Sequence, residues 1–140
     1  MIDIAPVLER KTLETVATAT DLDRQLREDW WDLIKAKYLD VLAASDSTNN
    51  TLGRLAIIKD SRFNPKGLYL LSLYVPKRHR RKGMARTLLS GADNYASSIG
   101  INSLSLDVGT DNIPAIELYQ SQGYKITDTT DLYAMSKTIG

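Results

Sequence analysis

Residues 77–86 carry six Lys or Arg side chains together with His79 and Gly83, in a chain whose formal net charge is only +1. Before them stands an apolar run, Leu68-Tyr-Leu-Leu-Ser-Leu-Tyr-Val75, that reads as a strand. After them Met84, Leu88, Ala92, Tyr95 and Ile99 trace one face of a helix, and Gly100 sits where a left-handed cap is wanted. A strand that ends in a short glycine-containing turn and continues as a helix gathers unpaired backbone N–H groups and the positive end of the helix dipole at one point. That is the geometry of a phosphate site. A basic run taken alone is most often a solvated turn, so the meaning of this one depends on its neighbours.

Other chemistry-bearing side chains have plain readings by pattern. Asn112 caps a helix with Pro114 in its first turn. Tyr119, at helical spacing from Ala115 and Leu118, reads as a core aromatic, His79 as a surface side chain and Glu117 as a solvated helix residue. Trp30 and Trp31 cannot both face the core of one helix, so one of them is free for the edge of a groove.

Length and composition bound the alternatives. With 140 residues and 43% hydrophobic content the chain has material for one core, and a single domain over residues 1–140 is expected. The balance of 18 basic and 17 acidic residues argues against a protein that coats nucleic acid, and confines polyanion binding to one site. The absence of cysteine removes disulfides, thiolate catalysis and zinc-thiolate sites, and the lone His79 does not build a metal site by itself. No apolar run approaches the roughly 20 residues of a membrane span, and no basic segment followed by an apolar one opens the chain. A cytoplasmic protein without membrane contact is expected.

The elements that must position the basic turn follow in order. Ile2 and Ile4 alternate before Pro6 as an edge strand, and residues 7–19 are predicted helical. Thr20-Asp-Leu-Asp23 has the form of a capping box and opens a second helix with Leu22, Leu26, Trp30, Leu33 and Ile34 on its apolar face. Residues 38–45 and 52–58, separated by the turn formers Asp46-Ser-Thr-Asn-Asn-Thr51, form a hairpin. After a turn at residues 60–66 the strand at residues 68–75 completes an antiparallel meander. Leu104, Leu106 and Val108 then alternate with Ser and Asp as a strand. Strand, turn, helix and strand make a crossover, so these two strands should be parallel. A helix from Asn112 to Gln122, ended by Gly123, and strands at residues 124–126 and 132–136 close the chain.

Context makes the turn specific. Arg80-x-x-Gly83-x-Ala85 is neither a P-loop nor a dinucleotide fingerprint. It is followed downstream by Asn112-x-x-Ala115-x-x-Leu118-Tyr119-x-x-x-Gly123-Tyr124. With these two motifs the chain resembles the GCN5-related N-acetyltransferase (GNAT) family, whose phosphate motif has the form Q/R-x-x-G-x-G/A and whose later motif has the form N-x-x-A-x-x-L-Y-x-x-x-G-F/Y. The resemblance is close over residues 68–124 and looser over residues 52–59 and 133–137. Residues 1–45 follow only the family's element order.

The resemblance implies an α/β fold with a mixed, mostly antiparallel sheet, splayed and bulged at the cofactor site and flanked by helices. It implies acetyl-CoA as acyl donor and an N-acetyltransferase that moves the acetyl group to a primary amine by direct attack on the thioester. The amine, small molecule or peptide, stays open, as does a homodimer. Backbone amides of Arg81, Lys82, Gly83, Met84 and Ala85, with Arg80, would receive the pyrophosphate. The main chain of Leu73 and Val75 would pair with the pantetheine arm, and Asn112 would bond the cofactor. Tyr119 would be the general acid that protonates the departing thiolate. The family's usual base, a Glu on the strand before the turn, is absent; Asp107 or a water chain is the substitute. Two other classes remain beside this one. The missing acid motivates a non-catalytic acyl-CoA-binding or regulatory module, and the basic turn a nucleic-acid-binding domain, separable by salt-dependent retention on an oligonucleotide.

Overall fold

In β3 (Thr51–Ile58) seven of eight residues are buried, and in β2 (Leu39–Ser45) every residue is at least half-buried, because helices cover this part of the sheet on both faces. Val41 and Ala56 point into one apolar cluster while Leu42, Leu55 and Ile57 point into the other, the period of two expected of strands. The first cluster is closed by α1 (Arg10–Ala19) and α2 (Arg24–Lys35), the second by α3 (Met84–Ser98) and α4 (Ile113–Ser121). The computed structural model describes residues 1–140.

The remaining strands are β1 (Asp3–Pro6), β4 (Leu68–Tyr74), β5 (Ser103–Gly109), β6 (Lys125–Thr129) and β7 (Leu132–Thr138). They complete one seven-stranded sheet of order β1-β2-β3-β4-β5-β7-β6. Every neighbouring pair is antiparallel except β4 and β5, which are joined through α3 as the crossover predicts. No helix is long and apolar enough to cross a membrane.

Two features of β4 matter for function. Its pairing with β5 is limited to Leu68 with Leu104 and Tyr69 with Ser105, after which the two strands diverge. At the root of the pair a Cβ on Gly67 would lie 2.0 Å from the Ser103 carbonyl oxygen, so only glycine allows the strands to meet there. On the other side, Arg54 pairs with Tyr74 and Ala56 with Leu71, which leaves Leu55 opposite both Ser72 and Leu73. This is a β-bulge, and Ser72 adopts a left-handed φ of 55° within it.

Some local expectations are corrected. Thr20 does not cap α2: its hydroxyl turns back to the Val16 carbonyl, and Asp23 caps the helix by accepting from the Leu26 N–H at 2.9 Å. Leu26, Leu33 and Ile99 lie on the predicted apolar faces but are exposed, since α2 and α3 bury narrower stripes than their sequences offer. Of the two tryptophans, Trp30 is buried and Trp31 half-buried.

Candidate active site

Past β4 the chain passes Val75 and Pro76 into a single helical turn at Lys77–His79. Arg80 then folds back, its Nε donating to the Val75 carbonyl at 2.6 Å while its guanidinium lies over the Tyr74 ring. Arg81 and Gly83 both take left-handed φ values, 63° and 79°. The chain thereby arrives at α3 with no side chain capping the helix, and its first backbone bond runs from the Thr87 N–H to the Gly83 carbonyl. The N–H groups of residues 81–86 find no acceptor in the protein. By contrast, Asp23 caps α2 and Asn112 caps α4, accepting from the Ala115 N–H at 3.3 Å. Omitting a cap costs about 1 kcal/mol. Burying Leu88 and Leu89, at 0% and 1% exposed, contributes roughly 2 kcal/mol each and outweighs it. The open helix end is thus stable, and its donors remain free for an anion.

These donors face a cavity of about 500 Å³. One wall is the end of β4, with Leu73, Tyr74 and Val75; a second is the turn and first residues of α3, including Arg80, Arg81, Gly83, Met84, Ala85 and Arg86; the third is α4, with Asn112, Pro114, Ala115, Leu118 and Tyr119. Arg86 ties the second wall to the third by donating to Ser121 Oγ at 3.0 Å. Leu73 and Tyr119 also line a smaller cavity of about 120 Å³ in the cleft where β4 and β5 diverge, together with Tyr69, Ser72 and Asp107.

Tyr119 stands between the two cavities. Its ring packs edge-on against Tyr124 at 6.0 Å, burial pushes its pKa upward, and its hydroxyl makes no hydrogen bond within the protein. Across the cleft the Tyr69 hydroxyl donates to Asp107 Oδ2 at 2.6 Å. Burial, and then this bond to the carboxylate, raise the Tyr69 pKa, so the phenol keeps its proton and orients Asp107.

A family model described as the acetyltransferase (GNAT) family matches residues 7–124. The chain belongs to the GNAT family. Among curated relatives it is 37% identical over 70 residues to human N-acetyltransferase 8, covering 50% of this chain and 31% of that protein. It is 28% identical over 125 residues to human N-acetyltransferase 8B, covering 84% of this chain and 54% of that one. The chain thus spans about half or less of the length of these relatives. Its fold is similar to that of PaiA N-acetyltransferase from Thermoplasma acidophilum in complex with coenzyme A, with TM-score 0.75, 21% identity and 99% of each chain covered. It is also similar to dodecameric spermidine N-acetyltransferase from Vibrio cholerae, with TM-score 0.79, 18% identity, and 98% and 93% covered.

Within this GNAT fold the residues expected at the cofactor site and Tyr119 line the larger cavity, except Lys82; Asp107, the substitute base, lines the smaller one. Lys82 lies between the two left-handed residues, and its exposed side chain falls off the cavity wall. Two more expectations change in detail. The Val75 carbonyl is engaged by the Arg80 side chain, and Arg80 is itself committed to bracing the turn. Sequence reasoning missed Tyr69. Tyr69 stands on the same strand as Leu73, but only the strand register brings it against Asp107, 38 residues away.

Proposed function

We propose that this chain is an acetyl-CoA-dependent N-acetyltransferase acting on a primary amine, with a site built from residues 73–86, Asp107, Asn112 and Tyr119. The observation that carries the reading is the larger cavity, where an uncapped helix end meets the unpaired edge of β4. Unbonded N–H groups at residues 81–86 suit a pyrophosphate. The strand edge freed by the splay suits the amides of a pantetheine arm at Leu73 and at the Val75 N–H, the Val75 carbonyl being held by Arg80, and Asn112 stands on the wall as a further polar partner.

When bound, acetyl-CoA supplies a thioester carbonyl for attack by the amine and a thiolate as leaving group. The chain's own part is proton management. Tyr119 keeps its phenolic proton at neutral pH and donates it from Oη to the departing sulfur. Asp107, oriented by Tyr69, has one carboxylate oxygen outside that bond to receive the proton of the incoming ammonium. Asp107 thus takes over the work of the acid missing from β4, which favours a catalyst over a passive acyl-CoA-binding module. The acceptor is an amine small enough, or extended enough, to enter the cleft between β4 and β5.

Isothermal titration with acetyl-CoA tests the donor half; no binding at millimolar concentration would sink it. A panel of amines with coenzyme A release as readout tests the transfer, since binding without release would favour the passive module. Asp107→Asn should lower kcat/KM for the amine about 100-fold, with acetyl-CoA binding retained. An unchanged kcat/KM would assign the base elsewhere.

A further inference from the structure

Arg54, in the middle of β3, is 6% exposed and makes no salt bridge. A lone buried guanidinium is costly to keep, and its Nε has no partner at all. Each terminal nitrogen makes one hydrogen bond. Nη1 donates to the Thr20 carbonyl at 2.5 Å, at the corner between α1 and α2. Nη2 donates to Ser72 Oγ at 3.0 Å, on the bulge of β4. The guanidinium also lies 4.9 Å from the Tyr74 ring centre and 5.6 Å from that of Trp30. On the Tyr74 ring Arg80 packs as well, so the contacts continue from α2 to the basic turn.

Ser72 is the point where this matters. A serine at φ 55° is strained, and such a residue persists only where its surroundings hold it. The bulge it creates bends β4, and beyond Tyr69 β4 no longer pairs with β5. We infer that Arg54 is a positioning residue: its two-pronged guanidinium holds Ser72 in the left-handed conformation, and so keeps the edge of β4 shaped for coenzyme A. Arginine is required because its fork reaches the Thr20 carbonyl and the Ser72 hydroxyl together, whereas one ammonium group does not span both. The inference rests on the acetyl-CoA reading only for its ligand.

Wild type, Arg54→Lys, Ser72→Ala and the double variant R54K/S72G are titrated with coenzyme A, and the Cα and Cβ NMR shifts of residue 72 are read in ligand-free protein. In Arg54→Lys the Ser72 shifts should leave the left-handed range and the coenzyme A Kd should rise about tenfold. Ser72→Ala breaks the same contact from its other end without emptying the Arg54 site, and should act alike. Glycine takes a left-handed φ unaided, so R54K/S72G should recover most of the lost affinity. Left-handed Ser72 shifts in Arg54→Lys, or no rescue by glycine, would overturn the role. Should wild type itself fail to bind coenzyme A, the acetyl-transfer reading falls, while the shifts still decide whether Arg54 holds the bulge.

Discussion

Tyr119→Phe should lower kcat about 100-fold or more, the scale of a lost general acid, while the affinity for acetyl-CoA stays close to wild type. The expectation rests on the hydroxyl being idle in the protein. It makes no hydrogen bond, so its removal strands no partner, and the ring keeps its edge-on contact with Tyr124. Stability should therefore change little. The pH profile carries a second, independent mark. Burial raises the Tyr119 pKa above its ordinary value of 10, so the acid form persists as pH climbs and is lost only above that value. In wild type the alkaline loss of kcat should set in at a higher pH than an unperturbed phenol would impose. Steady-state kinetics on the two proteins checks both points; a Phe variant that turns over normally would remove Tyr119 from the chemistry.

Gly83→Val should weaken acetyl-CoA binding by about 10- to 100-fold. A left-handed conformation costs a non-glycine residue about 1–2 kcal/mol, and a β-branched one more. The cause is backbone and not space, since a Cβ at Gly83 would meet nothing within 4 Å. Substitutions should accordingly rank by tolerance of φ 79°, with Asn mildest, Ala intermediate and Val worst. A ranking by side-chain volume alone, with Asn worse than Ala, would contradict this origin. Titration calorimetry separates the cases, and melting temperatures show how much of the loss is general destabilisation.

Both predictions concern residues whose significance is readable along the chain. The basic turn and the Asn112 to Tyr124 motif are local: a strand end, a left-handed glycine and a helix start lie within a few residues of one another. The hairpin of β2 and β3, the crossover from β4 to β5 and the left-handed Gly100 and Gly123 are legible for the same reason. The cap of α2 was less legible. Thr20 and Asp23 both suit an N-cap, and the choice fell to Asp23 because the Thr20 hydroxyl bonds within α1 and its carbonyl is taken by Arg54.

By itself, then, the sequence determined the family, the basic turn with its left-handed glycine and helix start, and the motif that carries Tyr119. The tertiary structure decided the rest. The bulge at Ser72, the arginine that holds it and the alignment of Tyr69 with Asp107 depend on which residues of β3, β4 and β5 stand opposite one another. Strand register is a property of paired strands, and neither strand carries it alone; a shift of one residue would send each of these side chains to the other face of the sheet.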